Sequence, residues 1–152
     1  ICVDKTAVIG EKVEVSNYAL LSSEGVAAYN HGANRIGVLV ALSSNSDEAL
    51  QAGRDLAMQI AAMNPIAVDE NAVSQEVKDK ELEIGRDIAK QEGKPEEMLD
   101  RIAQGKLKRF FKDNTLMNQS YVKDSSMTVS AFLKSVSPDL KVKSFERFQL
   151  GA

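Results

Sequence analysis

The sequence predicts an α+β fold: a small antiparallel β-sheet packed with helices on one face, plus a projecting antiparallel helical hairpin. Three observations lead there. Apolar residues alternate between Lys12 and Leu21 and then run without a break from Ile36 to Leu42, the two patterns of half-buried and central strands. Ala49, Gly53, Leu56, Ala57 and Ile60 recur at helical spacing. Residues 75 to 111 carry 9 acidic and 9 basic side chains, 18 of 37, against 23 of the other 115 residues, so this stretch has little surface to give to a globular core.

Each element has its own signal. Val13, Val15, Ala19 and Leu21 predict a first strand within Lys12 to Leu21, and Ser22-Ser23-Glu24-Gly25 reads as the turn after it. Val26 to Asn30 then returns antiparallel, Gly32-Ala33-Asn34 makes a second turn, and Ile36 to Leu42 follows as a strand covered on both faces. The expectation is a three-stranded meander. Asn45-Ser46-Asp47-Glu48 supplies an N-cap for a helix that Pro65 stops, and that helix should lie across the sheet. Ser74 caps the first arm of the hairpin, Gly93 closes it, and Pro95 opens the second arm. Val77, Ile84 and Ile88 against Met98, Ile102, Leu107 and Phe110 form the expected apolar seam, with Glu76–Lys80 and Glu97–Arg101 as supporting i,i+4 pairs. Thr128 to Ser135 reads as a short helix ended by Ser137-Pro138. Lys141 to Leu150 is the last strand, with Val142, Phe148 and Leu150 in one phase and Phe145 out of it, which a bulge or an edge position would explain. The expected organisation is a core of residues 1–74 and 112–152 with the hairpin 75–111 inserted.

Composition narrows the function. A chain of 152 residues with 43% hydrophobic and 27% charged residues has the balance of a soluble globular protein, and no apolar run approaches membrane-spanning length. Cys2 is the only cysteine, so no disulfide framework or thiolate metal cluster is expected, and with no signal-peptide pattern a cytoplasmic location is expected. Net charge is −3 and the longest basic stretch is Lys106 to Arg109, which argues against direct nucleic-acid binding. The first residue is Ile1, which leads to the expectation that the chain is part of something longer.

The run Tyr29-Asn-His-Gly-Ala-Asn-Arg-Ile-Gly-Val-Leu-Val40 is the most informative stretch. It reads as a strand end, a Gly-containing turn and a fully apolar strand, with His31 and Arg35 facing each other across the turn. His31 is the only histidine, which excludes a histidine-based metal site and leaves a general base as its one catalytic possibility. No nucleophile elbow, phosphate loop or carboxylate pair stands ready to work with it, so a structural or surface histidine is the plainer reading.

This run resembles the central signature of bacterial elongation factor Ts, the nucleotide exchange factor of the GTPase elongation factor Tu. Ile9-Gly10-Glu11 matches upstream. Leu56-Ala57-Met58-Gln59-Ile60-Ala61-Ala62 is similar to the family's helix, with Gln59 where many members carry a second histidine. Gly93-Lys94-Pro95, Tyr121-Val122-Lys123-Asp124, Thr128-Val129 and Phe145-Glu146-Arg147-Phe148 follow in the family's order, so the resemblance covers residues 9 to 151. It implies that the protein is a translation elongation factor that releases GDP from factor Tu with no cofactor and no covalent chemistry. It also implies partner contacts: His31 on the G domain of Tu, Ile9 and Gly10 on the same partner, and Val122 and Lys123 on its third domain. Without the resemblance, Ile9 and Gly10 would merely begin a strand, Val122 and Lys123 would be an ordinary loop, and Arg35 either orients its turn or touches the partner. Two departures stand out. Ser120 and Ser125 replace common prolines, and the Thr-Asp-Phe motif that wedges beside the nucleotide in the family's N-terminal half is absent from these 152 residues. The resemblance therefore implies a C-terminal core that carries docking surfaces and little exchange machinery. Two rival readings are a homodimerisation module acting through a sheet edge or the hairpin and, less well supported, an enzyme using His31 as base.

Overall fold

Seven consecutive residues without a charge make β2 (Ile36–Leu42) the natural centre of a sheet, and it is flanked there by β1 (Gly25–His31) and β5 (Val142–Gln149). Both pairings are antiparallel, with Ala27 opposite Val40 and Val40 opposite Phe145. The computed structural model describes residues 1–151; Ala152, the end of the expected core segment, lies outside the described residues. Between β2 and β5 the chain forms α2 (Asp47–Met63), α3 (Gln75–Gln91), α4 (Glu96–Asn114), a 3₁₀ turn (Leu116–Asn118), the two-stranded ladder of β3 (Ser120–Tyr121) and β4 (Asp124–Thr128), and α5 (Val129–Val136). A short helix α1 (Cys2–Ile9) precedes the sheet. No helix among the described residues is long and apolar enough to cross a membrane.

The α+β reading holds, but the meander does not. Residues 12–22 form no strand, and the third strand of the sheet is β5. Alternation marks a segment suited to a half-buried pleated surface, and it becomes a strand only where a partner edge receives it. β2 has two edges, both taken, and Val15, Tyr18 and Leu20 stay exposed. Ile9 and Gly10 likewise begin no strand: Gly10 ends α1 in the left-handed region at φ 81°.

Val38, Val40 and Leu42 point from β2 into the main core, where they meet Ala49, Ala52, Leu56, Ala57 and Ile60 of α2 and Val129 and Leu133 of α5. Ser46 caps α2 by accepting the Ala49 N–H, and Asn64 closes it in a left-handed conformation just before Pro65. The helix lies so close to the sheet that a Cβ on Gly53 would come within 2.7 Å of both Ala27 Cβ and Leu42 Cδ1. The opposite sheet face is less covered than expected: Ala41 is buried and Leu39 half-buried, but Val26 and Phe148 remain more than a third exposed. Phe145 owes its phase to a bulge, since Ala41 pairs with Ser144 while Leu42 pairs with Val142, which leaves Lys143 as the extra residue. Val142 and Phe145 thereby face the same core. Lys143, turned outward there, bridges to Glu24 and, with the Ser23 hydroxyl and a backbone amide, holds the Glu24 carboxyl down at about 2.

The hairpin forms where the sequence placed it, though α4 continues to Asn114. Ser74 accepts the Val77 N–H, and Gly93 at φ 71° lets the Lys94 N–H reach back to the Ala89 carbonyl. The seam differs from the expected one. Ile84, Ile88 and Met98 are exposed, and the helices meet through Gly85, Ala89, Ala103, Leu107 and Phe111. Small residues win because they let the backbones approach: a Cβ on Gly85 would stand 3.0 Å from Ala103 Cα. Ile84 and Ile88 each lie one position before a contact residue, Gly85 and Ala89, and are turned outward. Arg86–Asp100 and Lys106–Glu92 link the two arms in place of the expected pairs within one helix. At the base, Leu107 and Phe111 join Ala67 and Val73 in a second cluster, which the Ala67–Thr115 bridge ties to the main body.

Two glycines of the hairpin should therefore respond oppositely to substitution. Gly105 has open space around its missing Cβ, so Gly105→Ala should raise stability by about 0.5–1 kcal/mol through helix propensity. Gly85→Val should lower it by about 1–3 kcal/mol by forcing the arms apart. Urea midpoints of the two variants check both signs.

Candidate functional site

The five residues singled out from the sequence lie on three separate turns. Ile9 is the last residue of α1 and is 58% exposed; Gly10 follows as its cap and donates to the Thr6 carbonyl at 2.8 Å. The Thr6 hydroxyl accepts the Val13 N–H at 3.0 Å, so the chain leaves this helix along a defined path. His31 ends β1, opposite Ile36 rather than Arg35, so the expected confrontation of His31 with Arg35 across the turn does not occur. Instead His31 Nδ1 and the Tyr29 hydroxyl share a 2.9 Å hydrogen bond, two residues apart on one face of the strand. Gly32, Ala33 and Asn34 all take positive φ to make the turn, and Arg35 donates its N–H to the Gly32 carbonyl at 3.2 Å. The imidazole is exposed and its hydrogen bond is to a phenol, so nothing in contact with it equips it as a general base.

Val122 and Lys123 do come together, as the two loop residues between β3 and β4. Four groups of this turn are held by two residues of α2, Asp55 and Gln59, which lie one helical turn apart on one face. Gln59 is fully buried; its amide donates to the Ser120 carbonyl at 3.1 Å and to Gln119 Oε1 at 3.2 Å, and its oxygen accepts the Val122 N–H at 2.8 Å. Gln119, also buried, donates in turn to the Asp113 carbonyl at 2.9 Å. Asp55 accepts from the Tyr121 hydroxyl at 3.2 Å through one oxygen and from Lys123 Nζ at 2.7 Å through the other. The Tyr121 ring stacks on Phe132 of α5 with centroids 4.2 Å apart. Val122 is left with its backbone fixed and its side chain 46% exposed. Sequence reading noted Gln59 and missed Asp55 and Gln119; a glutamine inside the apolar run Leu56 to Ala62 was the available signal, because a buried amide must find partners.

Electrostatics follow the burial. Tyr121 is pushed from the usual 10 to about 12, chiefly by burial and further by the neighbouring Asp55 charge and hydrogen bond. Asp124, at the start of β4, is lowered by the Ser126 hydroxyl and N–H that its carboxylate accepts. Among the described residues, no group of three or more His, Cys, Asp or Glu side chains could hold a metal ion.

The fold and its turns define a class: an α+β protein built on a three-stranded antiparallel sheet, with one helix across it, a helical hairpin, and exposed residues at the strand ends. The chain belongs to the elongation factor Ts family, whose model, described as Elongation factor TS, matches residues 1–152. It is 49% identical over 148 residues to the elongation factor Ts of Christiangramia forsetii, covering 97% of this chain and 54% of that protein. It is 48% identical over 149 residues to that of Flavobacterium psychrophilum, covering 98% of this chain and 54% of the relative. With the Amoebophilus asiaticus protein of the same name it shares 48% identity over 145 residues, covering 95% of this chain and 52% of the relative. The chain thus spans about half the length of the curated relatives it matches.

The folded chain holds the Tyr121 proton more tightly than the unfolded chain, so its contribution to stability is complete below pH 10 and is lost as pH rises through about 12. Ultraviolet titration of tyrosinate should show a step near pH 12 that Tyr121→Phe removes. Asp55→Asn should move that step downward without bringing it to 10, because burial, the larger cause, remains.

Proposed function

We propose that this chain is the docking core of a translation elongation factor Ts, a guanine nucleotide exchange factor for elongation factor Tu, at work in the cytoplasm. The observation that carries the reading is the family match over the whole chain, joined to the position of the expected contact residues. Ile9, Gly10, His31, Val122 and Lys123 are all exposed and sit at element ends, where side chains can meet a partner without disturbing the core. In this reading residues 75–111 are an inserted arm on a body made of residues 1–74 and 112–152. Exchange requires no covalent step: a partner that binds nucleotide-free Tu more tightly than GDP-bound Tu weakens GDP by the same factor. Contacts equal in both states give affinity alone. These 152 residues contain no Thr-Asp-Phe wedge, so on their own they should bind Tu well and release GDP poorly.

A second reading, homodimerisation, is favoured by Ile84, Ile88 and Met98, three apolar side chains exposed on the two arms of the hairpin. Sedimentation at several concentrations, with and without factor Tu, separates self-association from docking.

Release of fluorescent GDP from Tu, stimulated by this chain alone, should fall far below that of a full-length relative. Full stimulation would place the differential contacts within these residues. His31→Ala should change the urea midpoint by no more than about 0.5 kcal/mol equivalent, as at other exposed positions. It should weaken binding to Tu by about 1 kcal/mol or more in titration calorimetry if the histidine is docked. A lowered midpoint with unchanged affinity would make His31 a structural residue instead.

A further inference from the structure

We propose that Asp55 and Gln59 are positioning residues that preset the Val122–Lys123 turn for its protein partner. The inference rests on the proposed docking function and adds two residues that make no contact of their own with the partner.

The turn does not have the means to shape itself. Residues 120 to 128 contain neither glycine nor proline. Among the described residues, the only non-glycine residues with positive φ are Ala33, Asn34 and Asn64, so Val122 and Lys123 do not form the primed two-residue turn whose twist suits a hairpin. The ladder it closes is two residues long on one side and its register shifts between Ser120 and Tyr121. A two-stranded ladder of this size is at best marginal by itself. Its order therefore comes from its neighbours: the Tyr121 ring packs on Phe132 of α5, and the polar groups of the turn are held by α2, whose apolar face is buried in the main core and whose position is set by that packing.

The clamp acts on four consecutive residues: the Ser120 carbonyl, the Tyr121 hydroxyl, the Val122 N–H and the Lys123 ammonium. Of these residues, Val122 alone presents an exposed apolar side chain to another molecule, and its N–H is held from beneath. Holding the turn before docking removes an ordering cost that binding would otherwise bear. The Lys123 charge is already matched by Asp55, so Lys123 contributes its place in the turn more than a free positive charge.

Titration calorimetry of the full chain with elongation factor Tu tests this, with affinities referred to the folded fraction from urea curves. Asp55→Ala and Gln59→Met should each weaken binding about tenfold, as for residues coupled through a shared network. The discriminating measurement is the double-mutant cycle with Val122→Ala. If the α2 residues act through the turn, Asp55→Ala should cost little further affinity once the valine side chain is gone. Hydrogen exchange at the Val122 amide should be faster in both α2 variants, since the carbonyl that holds it is removed or displaced. Should Gln59→Met fail to fold, Asp55→Ala carries the test alone. Unchanged or tighter binding by Asp55→Ala, or full additivity with Val122→Ala, overturns the positioning role. If Val122→Asp itself leaves binding unaltered, the docking assignment of the turn fails first, and the positioning role falls with it.

Discussion

Helix α2 is seated on the sheet at a distance that leaves no room for a side chain at position 53, and most of the remaining structure is referred to that contact. Gly53 lets the helix backbone settle against Ala27 and Leu42, and Leu56 and Ile60 then fill the space above Val38 and Val40. Close packing of this kind is intolerant of displacement, because a gap of even a fraction of an ångström forfeits much of the dispersion attraction. A helix held so firmly can position what lies on its other sides. Asp55 and Gln59 use that rigidity to hold the β3–β4 turn, and the Ala61 carbonyl near its end receives Arg147 of β5.

The hairpin follows a different rule. Its arms meet through Gly85, Ala89 and Ala103, so backbone proximity replaces bulky apolar burial, and most of its surface is charged and solvated. Larger apolar side chains enter only at the base, where Leu107 and Phe111 meet Ala67 and Val73. An arm of this construction reaches outward while its stability depends on its root. Ile84, Ile88 and Met98 are left on its surface, where helical spacing alone would have put them inside.

The residues proposed to dock share one physical circumstance. Each stands at the end of an element whose backbone is satisfied locally: Gly10 by the Thr6 carbonyl, His31 through the β1–β2 ladder, Val122 by the Gln59 side chain. Side chains so placed can be desolvated by a partner without exposing an unpaired amide. In the proposed role of exchange factor this would matter because the effect on nucleotide is a difference between two binding free energies, and a floppy surface would spend part of each on its own ordering.

Much of this was readable along the chain. The β2 strand, a cap within Asn45 to Glu48, the cap at Ser74, the short helix beginning near Thr128, the stop at Pro65, the hairpin turn at Gly93 and the bulge that is one of two explanations for Phe145 are local events, dictated by hydrogen-bonding groups and dihedral limits within a few residues. The family was legible for the same reason, because its signature occupies short contiguous runs, and the match covers residues 1–152. Tertiary structure alone decided which strand completes the sheet, which face of each hairpin helix turns inward, and what holds Val122. Residues 12–22 have the alternation of a strand but no edge to join, and Ile84 has the hydrophobicity of a seam residue but not the smallness that close backbones require. Asp55 and Gln59 are separated from the turn groups they hold by more than 60 positions, and Gln59 gains its meaning only when the amide of Val122 is brought to within 2.8 Å. Periodicity reports what a segment can bury; which neighbour buries it depends on shapes that meet only after the chain has folded.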